Sequence, residues 1–97
     1  MNMQAMMAQA RKLQREIEKS TKEIDETVFK YDTDNILIEC YGNYKVKTVN
    51  IKNKDLLEDN ELLEDVILVG MNDVLSQILK EKDSKLGKYT NGMGGLF

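Results

Sequence analysis

The chain contains no histidine, no proline, no tryptophan and a single cysteine in 97 residues. Each absence narrows what it can do. Without histidine, general acid–base work would rest on carboxylates or lysines. A metal site would be all-oxygen, and no calcium-loop spacing occurs. Cys40 has no second thiol to join, which fits a reducing cytoplasm. It lies beside the apolar run Ile36, Leu37 and Ile38 and reads as a buried structural thiol. No apolar run reaches the roughly 18 residues of a membrane span. The opening MNMQAMMAQARKLQ lacks the continuous apolar centre and cleavage site of a signal peptide. The glycines of NGMGG follow no strand and lack the Lys-Ser/Thr of a phosphate loop. No catalytic residue, metal or cofactor is expected, and the chain reads as a non-enzyme.

What is present is aliphatic and charged. Hydrophobic residues make up 41% and charged residues 32%, with only four tyrosines and two phenylalanines, so one thin aliphatic core is expected. A chain of this size buries about 60–65% of its unfolded surface. The stretch LLEDNELLEDVILVGMNDVLSQIL, residues 56–79, has apolar residues at i, i+3, i+4 and i+7, the helical spacing. Turned at about 100° per residue it shows three apolar lines. Leu62, Val66 and Val69 form one, Leu63, Ile67, Val74 and Ile78 a second, and Leu68, Leu75 and Leu79 a third. A surface helix normally shows one. A second copy is the natural cover, the alternative being that the chain's own sheet and first helix cover two lines and leave the third half-exposed. Leu63, Ile67, Leu68, Val74, Leu75, Ile78 and Leu79 are the candidate dimer interface.

The rest of the chain falls into clear elements. Residues 3–24 read as a helix with a seam of Met3, Met6, Ala10, Leu13, Ile17, Ser20 and Ile24 in steps of three and four. ETVFKY, ILIECY and YKVKTVNI read as strands separated by DTDN and GN turns. Gly42 and Asn43 are expected at positive φ in the second turn. The phase slip between Tyr44/Val46 and Val49/Ile51 predicts a bulge near Lys47–Thr48. Asp55-x-x-Glu58 reads as a capping start before a second helix from about 60 to 85, ended by lysines and Gly87. The expectation is an α+β fold in the order α-β-β-β-α, a three-stranded antiparallel meander with two long helices. It spans residues 1–86, followed by a flexible glycine-rich tail over 87–97. Helices of about 24 residues run ~36 Å against ~17–26 Å for the strands, so both should overhang the sheet. Asn72 and Asp73, polar within an apolar helix, are expected to satisfy a neighbouring backbone group.

Charge is segregated. The net charge is −3. Residues 55–79 hold seven acids and no Lys or Arg, whereas residues 80–97 hold four lysines against two acids. Arg11, Lys12, Arg15, Lys19 and Lys22 face Glu16 and Glu18 in the first 22 residues. Such separation permits a local positive surface on an acidic protein. Solvated helix faces and complementation of the helix dipole account for the same residues. No base-reading motif occurs, so any duplex contact would be to phosphates, with strong salt dependence.

The opening helix MQAMMAQARKLQREIEK, the meander ending VKTVNIKNKDLLED, and ELLEDVILVGMNDVLSQI together resemble the YbaB/EbfC family of bacterial nucleoid-associated proteins. The most specific piece is Leu57-Glu58-Asp59, then Leu63-Glu64-Asp65, then Asn72-Asp73 with Ile78 behind. The resemblance implies a homodimer built on the meander and second helix, with helix ends projecting as arms. It implies a cytoplasmic, nucleoid-associated protein that binds duplex DNA with low sequence specificity. By position, the DNA contacts would be Arg11, Lys12 and Arg15 on the first helix and Lys80, Lys82 and Lys85 on the second. The alternative is a dimeric adaptor for a repair or recombination protein, in which Met3, Met6 and Met7 would matter more.

Overall fold

Asn2 starts the first helix: its side-chain oxygen accepts the Ala5 N–H at 2.7 Å, satisfying one of the free donors of the first turn. In the computed structural model, which describes residues 2–90, this helix, α1, runs Met3–Glu26. Strands β1 (Val28–Asp32), β2 (Ile36–Tyr41) and β3 (Val46–Ile51) follow, then a 3-10 turn over Lys54–Glu58 and helix α2 (Asn60–Thr90). The expected α-β-β-β-α order is observed, and the sheet is an antiparallel meander in the order β1-β2-β3.

The register explains which residues are buried. Phe29 pairs with Cys40 and Tyr31 with Ile38, while Ile36 faces Ile51 and Ile38 faces Val49. Alternation places all of these on the face toward the helices. Lys30, Glu39 and Thr48 lie on the other face, where Lys30 and Glu39 form an ion pair at 3.6 Å. Between Glu39↔Thr48 and Cys40↔Val46 the register slips, leaving Lys47 as the extra residue of a bulge where the phase change predicted one.

The β2–β3 turn differs from expectation. The left-handed conformation falls on Tyr44 (φ 71°), held by its N–H to the Tyr41 carbonyl at 2.9 Å. Gly42 is needed for a different reason. A Cβ there would collide with the Ile24 carbonyl oxygen, because the end of α1 lies directly on the turn. The start of α2 differs too. Asp59 caps it, accepting the Leu62 N–H at 3.1 Å, while Asp55 lies inside the 3-10 turn that Asn53 caps. At its far end α2 continues through Gly87 to Thr90, into the segment expected as tail. The remainder of that segment, 91–97, lies outside the described residues.

Ile24, Phe29, Ile36, Ile38, Cys40, Val74, Ile78 and Leu86 form one buried cluster. Along α2, Gly70 meets Tyr31 and Ile38, Gln77 meets Lys30, and Glu81 and Lys85 share a cleft with Ser20, Glu23, Ile24 and Thr27. The earlier chain therefore runs antiparallel to α2. The N-terminal part of α1 extends past the body toward the C-terminal end of α2, and the molecule is drawn out to 69 × 23 × 15 Å. The expected overhang is there on α1, whose residues 2–16 are all exposed.

Candidate nucleic-acid interface and self-association face

The seam of α1 leaves the body as a single line. Ile24 is 4% exposed, Leu13 46%, Met6 57% and Met3 76%, all on one face at helical spacing. Arg11, Lys12 and Arg15 fall on the opposite face, within an arc of about 100° centred away from the Met6–Leu13 line. All three are exposed. Among the described residues the ion pairs are Lys30–Glu39 and Lys52–Asp32, so neither engages these cations. Glu18 lies beside Arg11 and Arg15 in a shallow cleft but is hydrogen-bonded by Gln14 at 3.4 Å. The arm is thus an amphipathic rod, apolar on one side and cationic on the other.

The lysines of α2 do not join them on one face. Lys80 is exposed and points away from the core line. Lys82 is half-buried, its Nζ 4.2 Å from the centre of the Tyr44 ring, a cation–π placement. Lys85 is exposed and lines a cleft shared with Glu23 and Glu81. Arg11, Lys12 and Arg15 are brought together; Lys80, Lys82 and Lys85 are spread around their helix. Lys45 and Lys47, exposed on and beside the β2–β3 turn near Tyr44, are further cations that helix spacing does not point to. A turn-plus-bulge pattern was the available signal for them.

The three apolar lines of α2 meet different fates. Val74 and Ile78, expected at a dimer interface, have no surface left, because the chain's own sheet covers them. Leu63 and Ile67 on the same line are half-buried. This correction follows from where α2 lies: it packs on β1 and β2, and β3 has no helix over it. Leu68 and Leu79 on the third line remain 60% and 55% exposed, and Val46 and Val49 on the helix side of β3 remain 50% and 54% exposed. The Lys82–Tyr44 contact joins these two surfaces, with Leu75 half-buried between the exposed leucines. Tyr44, Val46 and Val49 therefore belong to the open apolar face and could not be assigned from helix periodicity alone.

Other features are structural. Asp73 accepts from Gln77 Nε2 at 2.7 Å, and the same amide nitrogen donates to the Lys30 carbonyl at 2.8 Å, so it is Gln77 that satisfies the strand backbone group expected of Asn72 and Asp73, and Asp73 only orients that amide. Asn72 is exposed. Burial pushes the Cys40 thiol above its usual pKa, which keeps it protonated and unreactive. A cleft of about 210 Å³ between the β1–β2 turn and α2 is lined by Tyr31, Thr33, Asn35, Asp65, Val66 and Val69, a set without an activated nucleophile. Among the described residues no cluster of His, Cys, Asp and Glu could hold a metal ion, and no helix is long and apolar enough to cross a membrane.

Fold and surface together define a class: a small α+β chain with a single meander on one long helix, and a first helix that carries its cations out from the body. The model of the YbaB/EbfC DNA-binding family matches residues 1–93. A nucleoid-associated protein of Lactococcus lactis subsp. cremoris is 44% identical over 97 residues, covering 96% of this chain and 97% of its own. One from Enterococcus faecalis is 38% identical over 98 residues, covering 97% and 93%. An uncharacterized protein from Helicobacter pylori, solved by crystallography, shares the fold with a TM-score of 0.68 at 14% identity, covering 97% of this chain and 99% of that one. The chain belongs to the YbaB/EbfC DNA-binding family.

Proposed function

We propose that the protein is a nucleoid-associated homodimer that binds duplex DNA with low sequence specificity, through the cationic face of its α1 arms. The observation that carries this reading is the arm itself: Arg11, Lys12 and Arg15 on one exposed face, outside the body, free of the ion pairs formed elsewhere. The names of the relatives, nucleoid-associated proteins of bacteria, support the same reading and a place on the cytoplasmic nucleoid. Lys80 and Lys85 are further exposed cations away from the arm face, and Lys82 contributes more weakly because its ammonium already lies over the Tyr44 ring.

Dimerisation uses the open face formed by Leu68, Leu75 and Leu79 with Tyr44, Val46 and Val49. Tyr44, Val46, Val49, Leu68 and Leu79 each stand 45–60% exposed, and clustered exposed apolar groups mark an interaction site. Two arms, each neutralising three phosphates, would release counterions from about six, giving a log–log salt slope of about −5. The side chains reach phosphates, not base edges, so sequence preference is small. No step of this function needs catalysis.

The test is fluorescence anisotropy with a random-sequence duplex at about 50 and 200 mM salt. Binding that is steeply weakened by salt and indifferent to sequence is expected, and Arg11→Glu/Arg15→Glu should remove it while leaving the mass in solution unchanged. Absence of binding at low salt would overturn the duplex reading. It would favour the adaptor reading instead, in which the exposed Met3, Met6 and Met7 receive a repair or recombination protein.

A further inference from the structure

The apolar seam of the arm lies opposite the cations, so phosphate binding leaves it uncovered. Met3, Met6 and Leu13 are exposed large apolar groups on one line, with Ala10 between them. Their spacing, in steps of three and four, is that of a helix that packs knobs into the holes of another helix. Inside the body the same seam is covered at Ile24. On the arm it has no cover from the described chain.

The residues beside the seam identify the occupant. Asn2, Gln9 and Glu16 flank it on one side and Met7 and Gln14 on the other. None is a cation, although Arg11, Lys12 and Arg15 stand within a turn. Two copies of this arm can approach seam to seam without like charges meeting, because the cations of both point outward. A cationic partner would find no anionic rim here beyond Glu16, and a strongly acidic one would be drawn to the other face. In an antiparallel pair centred near Ala8, Met3 faces Leu13 of the second copy and Met6 faces its Ala10. The large–small match at Met6–Ala10 lets the helices come close. Antiparallel dipoles are favourable, and the two bodies are carried to opposite ends of the paired arms.

We infer that the α1 arms of two copies pair antiparallel through Met3, Met6, Ala10 and Leu13, joining one protein unit to the next while Arg11, Lys12 and Arg15 remain outward. About two heptads of short helix form a weak contact in free solution. Copies aligned on one duplex raise each other's effective concentration, so the contact strengthens on DNA. It uses a different surface from the Leu68–Leu79 and β3 face and stands independently of the dimer proposed there.

Cysteine trapping in the full chain tests this, with buried Cys40 retained as an inert thiol. A mixture of Met3→Cys and Leu13→Cys proteins, mildly oxidised, should yield a two-chain disulfide product. The outward-facing pair Gln4→Cys and Ala8→Cys should yield about tenfold less, and random duplex should raise the yield of the first mixture only. All four positions are exposed, so the variants should fold. Leu79→Asp separates the two surfaces: it should abolish the body dimer and leave the arm cross-link. Equal cross-linking from both mixtures would reveal random collision and overturn the inference. So would cross-linking that appears only after truncation at Thr90, since the chain's own C-terminal segment would then be the cover.

Discussion

The two long helices differ in what their apolar residues meet. On α1 there is one apolar line, and it passes from buried at Ile24 to exposed at Met3 as the helix leaves the body. On α2 there are three lines, and the chain's own sheet fully covers residues of only the one that carries Val74 and Ile78. The cause is placement. Helix α2 crosses β1 and β2 and leaves β3 bare, whereas α1 touches the body only over its last turns. Stability is therefore concentrated where α2 meets the sheet, and contacts with other molecules are left to the arm and to the β3 side.

The sharpest way to break this division is to cut into the covered line. Ile78→Ala removes a fully buried side chain and should lower unfolding free energy by about 2–5 kcal/mol in guanidinium titration. Gly42→Ala should cost about 2–3 kcal/mol, because the new Cβ drives into the Ile24 backbone carbonyl and the end of α1 must shift. On the arm, Arg11→Glu/Arg15→Glu should change stability by less than about 0.5 kcal/mol. In the milder Arg15→Gln protein, which keeps binding measurable, the log–log salt slope of duplex binding should shrink by about 0.9 for the one phosphate no longer neutralised. A large stability change in the double variant would place the arm inside the cooperative unit and erase the contrast. Leu79→Asp should convert dimer to monomer by sedimentation while secondary structure is retained, since its side chain is outside the chain's own core.

The smallest effect is expected from pH. The folded-state pKa of Cys40 is raised by burial, so the folded chain favours the protonated thiol. Its contribution to stability is full below the unfolded thiol's pKa and is lost as pH rises toward the folded value. Alkaline titration followed by chemical denaturation should show a modest decline above the usual thiol range, absent in Cys40→Ala.

How far the sequence could be read varied with the physics of each residue. The bulge was legible because a phase slip from Val46 to Val49 leaves an odd residue in the strand, and Lys47 is that residue. The turn was placed correctly, but its positive φ falls on Tyr44 rather than on Gly42 or Asn43. Gly42 marks it, but the reason is a backbone approach from Ile24, a meeting of residues 18 apart in the chain. The cap of α2 went to Asp59 rather than Asp55 because a 3-10 turn intervenes, and both Asp-led patterns look alike in sequence. Among the candidate site residues, the grouping of Arg11, Lys12 and Arg15 follows from helical spacing alone. The spread of Lys80, Lys82 and Lys85 around α2 follows from the same spacing, but that Lys82 lies over Tyr44 and Lys85 beside Ser20 and Glu23 depends on residues from elsewhere in the fold.

Local periodicity and turn chemistry therefore determined the element order, the amphipathic arm and the excess of apolar surface on α2, since each depends on neighbours within a few positions. Which excess is covered was decided only in three dimensions. The side of α2 that meets the sheet depends on how a three-stranded meander twists beneath a helix wide enough for two strands. That leaves Val46, Val49, Leu68 and Leu79 open while it closes over Val74 and Ile78.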